Sequence, residues 1–298
     1  DTLLSGNLDL SSLVSLDTVN ISSTQLNTVN LQNGNNTAIS FFDASSNASL
    51  TCIQVDDEAY ANTNWTNIDN QTSFNEISCA TEYSLAIKAY LQGALLNPNI
   101  GEESLMRDDL RVDGIIPTVS PYSDNLSCDA TVFNITGNDA IVDWIWVELR
   151  DEIDNTLVIA SQSALLQRDG DIVTTDGITP LVFSLFTSRV YVAIKHRNHL
   201  GVMTNNITVL DDMATTSVDF TDANNQITYG TDAQTSFGMP TDVVAMWAGD
   251  ANEDGNLNYL GALSEIPSVR SQVFNDPANS VFGGPPVATY QSQGYYAT

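Results

Sequence analysis

The chain of 298 residues carries 37 Asp and Glu against nine Lys and Arg, a formal net charge of -28 at pH 7. Because phosphate groups and anionic lipids are bound through Lys and Arg, this balance argues against a nucleic-acid partner and an acidic membrane. Hydrophobic residues make up 42% of the chain, so it is not an acidic disordered tail. The absence of a run of 18 apolar residues predicts no membrane insertion.

The first fifty-odd residues repeat the hydrophobic pattern L-x-x-L-x-L every 10 to 13 residues, with copies that begin at Leu16, Leu26, Ile39 and Leu50. Asn33 and Asn47 follow two of these copies in the position that leucine-rich repeats give to asparagine. One short strand per repeat, stacked on its neighbours, would bury side chains that a single repeat leaves exposed. We therefore predict a leucine-rich-repeat remnant over residues 1–80, with Trp65 and Phe74 filling its C-terminal cap.

The three cysteines suggest one disulfide. Cys52 and Cys79 bracket a single short segment, so we predict that they pair. Cys128 is then a spare thiol, expected to be a buried structural side chain.

Beyond residue 80 the hydrophobic period changes to two. Leu85, Ile87, Ala89 and Leu91 alternate with other side chains, as in a half-buried strand. Further strand-like runs lie near residues 129–135, 141–150, 156–166, 181–186, 189–197, 203–210 and 216–220. Short strands at this spacing predict an antiparallel β-sandwich over residues 81–245, with a long ordered loop or edge excursion over 97–126.

The strongest chemical motif begins at Asp250 and has the form D-x-N-x-D-G-x-L-x. Side-chain oxygens at its first, third and fifth positions converge on one cation when the chain turns sharply. The twelfth position holds Gly261 instead of an acid, so Glu265 is the nearest residue that would close the shell. Oxygen donors without His or Cys favour calcium. We therefore predict a truncated dockerin-like segment over residues 246–298 that binds Ca²⁺ through Asp250, Asn252, Asp254, Asn256 and Glu265.

An Asx-rich turn without metal is the alternative reading of that motif.

Both histidines lie in His196-Arg-Asn-His199. Such a pair can ligate zinc, but residues three apart on a strand face opposite sides and no third ligand is nearby. A turn stabilised by imidazole hydrogen bonds is the preferred interpretation.

Trp144 and Trp146 fall on one face of a predicted strand. Paired tryptophans either form a platform for sugar rings or fill the core of the domain, and the core is favoured. A carbohydrate-binding role would require both rings to be exposed and coplanar.

A cluster of charged residues between 150 and 197 invites interpretation as a catalytic site: Arg150, Arg168, Asp169, Asp171 and Arg197. Compensating ion pairs in an acidic domain explain it equally well. Asp169-Gly-Asp171, with Asp176 following, is a weaker candidate for a second cation. An enzyme would need a cleft with converging carboxylates, or with a His199 whose pKa is perturbed. No nucleophile elbow, phosphate loop or HExxH motif is present, so we predict a non-enzyme.

Longer phrases of the sequence resemble surface proteins of Bacteroidota, especially of Flavobacterium-like genera. Residues 50–69 are similar to the terminal cap of their leucine-rich repeats, and 246–252 to the calcium-loop segment that follows a β-sandwich module. The phrases that resemble the module itself are residues 137–144, 147–150, 163–171 and 196–203.

The resemblance implies export to the cell surface, by the type IX secretion route, as part of a longer chain. The predicted function is a calcium-stabilised, non-catalytic adhesin or interaction protein with a protein or glycan partner. The alternatives are a carbohydrate-binding accessory module of a secreted polysaccharide system and a structural stalk or filament subunit.

Overall fold

The computed structural model describes residues 4–250 and is mainly β. The chain divides into two compact units. The first comprises the residues up to Glu82 together with Ser184–Thr187, and the second comprises Tyr83–Phe183 and the residues from Ser188 onwards.

In the described part of the first unit, six short strands form two parallel stacks. One stack has the order β1-β3-β5-β6, and the other pairs β2 with β4. The strands are β1 (Ser5–Asp9), β2 (Thr18–Asn20), β3 (Gln25–Asn30), β4 (Phe41–Asp43), β5 (Cys52–Gln54) and β6 (Ser73–Asn75). A 3-10 turn at Asn36–Ala38 and the helix α1 (Glu58–Asn64) connect them.

The strands of neighbouring repeats do not stack on one another, which corrects the sequence-based expectation. Val19 of β2 pairs with Phe42 of β4, whereas Val29 of β3 pairs with Ile53 of β5. Each hydrophobic repeat therefore supplies one strand, and its hydrogen-bonded partner is the next repeat but one. Two repeats make one coil of the chain.

Aromatic side chains pack against one another in the interior of this unit. Trp65 stacks on Phe42 with ring centroids 4.5 Å apart, and Phe74 meets Trp65 edge-on at 5.7 Å. Trp65 and Phe74 are both buried, as expected of a plug. The predicted disulfide between Cys52 and Cys79 is also present.

The second unit is organised around one large, mostly antiparallel sheet, of nine strands within the described residues. Its path is β11-β7-β10-β9-β8-β12-β13, with β14 beside β12 and β15 parallel to β7. The strands are β7 (Thr81–Lys88), β8 (Ile141–Asp151), β9 (Val158–Gln167), β10 (Asp171–Val173), β11 (Leu181–Leu185), β12 (Arg189–His196), β13 (His199–Met203), β14 (Thr208–Val209) and β15 (Thr216–Asp219).

The shorter elements of this unit lie outside that sheet. The strands β16 (Gln234–Thr235) and β17 (Ala245–Met246) form a separate antiparallel pair. The short helices are α2 (Gln92–Leu95) and α3 (Asp109–Val112), with 3-10 turns at Ala130–Asn134 and Gly137–Asp139.

The central strand β8 is buried on both faces along most of its length, so both sides of the sheet are covered there. The predicted strand at 129–135 is wrong, because Asp129 accepts a hydrogen bond from the Thr131 amide at 2.8 Å and starts a 3-10 turn. The run predicted at 203–210 is instead divided between β13 and β14, which leaves Asn205 and Asn206 in the connection.

Candidate functional site

A cleft of about 580 Å³ lies over the face of β8, β12 and β13. The pairing of β8 with β12 sets Lys195 beside Trp146 and Ala193 beside Glu148, so their side chains share that face. Its size falls in the range of sites for small ligands. The aromatic and charged residues that line it are Tyr122, Trp146, Glu148, Arg150, Lys195, His196, Arg197, His199, Tyr229 and Asp250.

One carboxylate organises the floor of the cleft. Oε1 of Glu148 accepts from the Lys195 ammonium at 2.6 Å and from the Trp146 indole at 3.1 Å. Oε2 accepts from two guanidinium nitrogens of Arg150, at 3.0 and 2.5 Å. Burial favours the neutral acid, but the hydrogen bonds from Lys195 and Arg150 outweigh it and lower the pKa of Glu148. The carboxylate therefore stays charged and holds three cleft side chains in place.

The loop that contains Ser120 and Asp124 holds Tyr122 against the same face of the sheet. Asp124 accepts hydrogen bonds from both the amide and the hydroxyl of Ser163, at 2.8 and 2.7 Å. Ser120 meets the same hydroxyl at 2.5 Å, so the loop is tied to β9 at a buried point. The Tyr122 ring then lies 5.6 Å from Trp146, with the ring planes tilted by 36°. The cleft thus presents two fixed aromatic rings.

The two tryptophans have different environments. Trp144 is completely buried, and its indole donates to the Pro117 carbonyl at 2.8 Å, so the core interpretation is confirmed for this residue. Trp146 is only half-buried and lines the cleft. An exposed, coplanar tryptophan pair is therefore not formed.

The two histidines face each other across a tight hairpin. Arg197 and Asn198 form the turn between β12 and β13, and His196 pairs with His199. Their Nδ1 atoms are 3.0 Å apart, which confirms the turn stabilised by imidazole hydrogen bonds. The assumption that residues three apart face opposite sides was wrong here, because the two residues lie on different strands.

One backbone donor fixes the proton of the His199 ring, which is joined to His196 and Asp143 by a chain of contacts. The Gly93 amide donates to Nε2 of His199 at 3.2 Å, so the neutral His199 ring carries its proton on Nδ1. That Nδ1 lies 2.7 Å from the side-chain oxygen of Asn198 and 3.0 Å from Nδ1 of His196, and Nε2 of His196 lies 3.1 Å from Asp143. Asp143 also forms a 2.5 Å ion pair with Arg197. The result is a buried relay from Gly93 to Asp143.

This relay leaves His199 neutral. Burial, with a smaller contribution from the neighbouring His196 and Arg197, lowers the pKa of His199 well below its ordinary value. A second cavity of about 340 Å³ borders the relay on the side of α2. A Cβ on Gly93 would lie 3.3 Å from Nε2 of His199, so any larger residue would crowd the buried His199 ring.

The predicted calcium ligands fall largely outside the described residues. Of the five, only Asp250 is described; it is buried at the rim of the cleft. The preceding chain is fixed to the hairpin, because Gly249 donates to Asn198 and Leu200 donates to Trp247, both at 2.9 Å. The all-oxygen donor set fits calcium. Within residues 4–250, no three His, Cys, Asp or Glu residues are grouped to hold a metal ion.

The weaker acidic candidates have structural roles. Asp171 pairs with Lys88 at 3.2 Å, and burial raises the pKa of Asp169. Burial acts against the charge of Asp176 as well, but hydrogen bonds from the Thr179 and Ile178 amides lower its pKa to about 2. Asp169 also accepts a hydrogen bond from the Asp171 amide at 3.3 Å, so each of the three acids has a contact within the protein.

The ion-pair interpretation of the basic residues is confirmed. Arg168 binds Glu102 and lies 3.7 Å from Asp108, Arg150 binds Glu148, and Arg197 binds Asp143. The sequence did not reveal that Tyr122, Glu148 and Lys195 meet at one cleft. The sequence did offer one indication of the histidine hairpin. Only two residues separate His196 from His199, and two-residue connections are common in β-hairpins.

No protein-family model, curated protein or solved structure matches the chain. Among residues 4–250, no helix is long and apolar enough to cross a membrane.

Proposed function

We propose that the chain is a non-catalytic binding segment of an exported cell-surface protein of the adhesin class, stabilised by calcium. In this proposal a leucine-rich-repeat unit precedes a β-sandwich and a dockerin-like segment. The parallel strands of the first unit and the large sheet of the second are compatible with that order. The Cys52–Cys79 disulfide supports export, because disulfides persist in oxidising compartments.

The observation that carries the binding role is the preorganised cleft. Glu148 positions Trp146, Arg150 and Lys195 through four hydrogen bonds of 2.5 to 3.1 Å. Side chains held in this way lose little conformational freedom when a ligand binds. The same contacts keep the carboxylate charged, so Glu148 is not suited to donate a proton as a general acid.

His199 meets the pKa criterion set for an enzyme, but its geometry favours a structural role. The ring is 6% exposed, and both nitrogens already have partners in Gly93 and in His196 or Asn198. A general base needs a nitrogen within reach of the substrate proton. The relay instead joins the hairpin to the chain around α2.

A carbohydrate-binding accessory module is the second candidate, favoured by the Tyr122–Trp146 pair. Aromatic rings that are apolar on their faces and fixed in a cleft suit the carbon-bound faces of sugars. The sugar platform would be Trp146 with Tyr122 instead of Trp146 with Trp144, because Trp144 is buried in the core.

The proposal predicts that the intact chain binds one or more members of a panel of immobilised polysaccharides and extracellular matrix proteins. Trp146→Ala should reduce that binding at least tenfold, because it removes the central ring of the cleft. Phe237→Ala is the control, since Phe237 is an aromatic side chain that is 75% exposed and does not line the cleft. Equal binding by the two variants would exclude the cleft as the binding site.

A further inference from the structure

Positive charge is concentrated in the cleft of an otherwise acidic chain. Three of the nine Lys and Arg residues, Arg150, Lys195 and Arg197, line it. Arg197 is balanced by the buried Asp143. Arg150 and Lys195 share the single carboxylate of Glu148, so this cluster of two cations and one anion keeps one positive charge.

That charge is available at the Lys195 ammonium. The side chain of Lys195 is 49% exposed, whereas that of Glu148 is 7% exposed. An ammonium has three N–H donors, and within the described residues one of them is used, by Glu148. The remaining donors suit a ligand oxygen, and a carboxylate would form the stronger, charge-assisted hydrogen bond.

An apolar surface lies directly beside this cation. Trp146 is the β8 partner of Lys195 in the sheet, and the Tyr122 hydroxyl contacts the Lys195 carbonyl at 3.5 Å. The Trp146 indole and the Lys195 ammonium bind the same oxygen of Glu148, and the Tyr122 ring lies 5.6 Å from Trp146, so both rings and the cation line one part of the cleft. A ligand that fits must carry an anion close to a rigid apolar face.

The geometry points to an acidic saccharide as the ligand of the cleft, with a sugar ring against Trp146 and Tyr122 and its carboxylate on Lys195. A pyranose ring that bears a carboxylate has both features within one residue of the polymer. In a peptide the carboxylate and an aromatic ring are joined through rotatable bonds, whereas in a uronic acid the carboxylate is attached directly to the ring. Asp250 at the rim also carries negative charge, which the calcium ion of the proposed function would offset. The inference rests on that proposed function and specifies its ligand.

The test compares oligomers of glucuronic, galacturonic and mannuronic acid with the neutral hexose oligomers of the same stereochemistry. Binding to the full chain is measured by calorimetry in millimolar calcium and 0.15 M salt, where the Debye length of about 8 Å screens the distant acidic surface. At least one acidic oligomer should bind ten times more tightly than its neutral counterpart. Lys195→Gln should remove most of that difference.

Lys88→Gln is the matched control, because Lys88 also pairs with a carboxylate on a strand of the same sheet but lies outside the cleft. It should bind as the wild type does. Equal affinity for acidic and neutral oligomers would overturn the inference and leave a saccharide-binding function standing. Binding to matrix proteins or acidic peptides alone would also overturn it, and a wild-type chain that binds nothing in either experiment would overturn the proposed function too.

Discussion

At the scale of single residues, buried asparagines join successive coils of the first unit. Asn47 is completely buried and donates to the carbonyls of Ile21 and Ala44, at 2.8 and 2.9 Å. Its oxygen accepts from the amide and the hydroxyl of Thr24, at 2.6 and 2.7 Å. Asn33 has a similar role, since it donates to the Leu13 carbonyl at 3.0 Å. The asparagine side chains at the position identified in the sequence thus bind backbone groups that have no backbone partner where the chain turns.

Replacing Asn47 with Ala should therefore destabilise the first unit strongly. The substitution removes the Asn47 partner of the Ala44 carbonyl and of the Thr24 amide, and leaves the Ile21 carbonyl only the Thr24 hydroxyl. Each buried polar group that loses its partner costs about 1–3 kcal/mol. We expect the free energy of unfolding, measured by urea denaturation, to fall by about 3 kcal/mol or more. Asn62→Ala is the control on exposed α1, where a change within about 0.5 kcal/mol is expected. Similar small effects for both variants would contradict this role of Asn47.

At the scale of elements, the hairpin of β12 and β13 depends on a neutral His199. The unfolded chain takes up a proton near pH 6.5, whereas the folded chain resists protonation because the pKa of His199 is lowered. This contribution to stability is therefore fully present above pH 6.5 and is lost progressively as the pH falls below it.

Thermal unfolding between pH 7.5 and 5 measures this dependence. The wild type should lose stability as the pH falls, and His199→Gln should show a shallower loss, because Gln can still accept the Gly93 hydrogen bond without titrating. Identical slopes for the two proteins would show that His199 does not control the pH response.

The sequence predicted most of the strands but not which strands pair with each other. An alternating run identified β7 because burial on one face imposes a period of two, and longer strand-like runs identified β8 and β9. The short β10 was missed since three residues carry no period, and the 3-10 turn after Asp129 was taken for a strand. The cleft was not predicted because Trp146 and Lys195 meet only through the register of β8 and β12, which no local pattern encodes.

At the scale of the whole molecule, we propose that calcium stabilises an exported protein. Binding to a loop that is not preformed in the unfolded chain stabilises the fold, by about 2.7 kcal/mol at a calcium concentration 100 times the Kd. The melting temperature should rise on addition of calcium and fall again with chelator. Asp254→Ala should abolish the shift, whereas Asp212→Ala, at an exposed acid elsewhere, should retain it. A melting temperature that calcium leaves unchanged would contradict the calcium role.

The central claim, that the cleft binds without catalysing, is tested most directly by proton NMR of a panel ligand incubated with the intact chain. We predict that the ligand resonances broaden, that Trp146→Ala removes the broadening, and that their integrals stay constant over a day. New resonances from a product, formed by the wild type and not by Trp146→Ala, would show instead that the cleft is an active site.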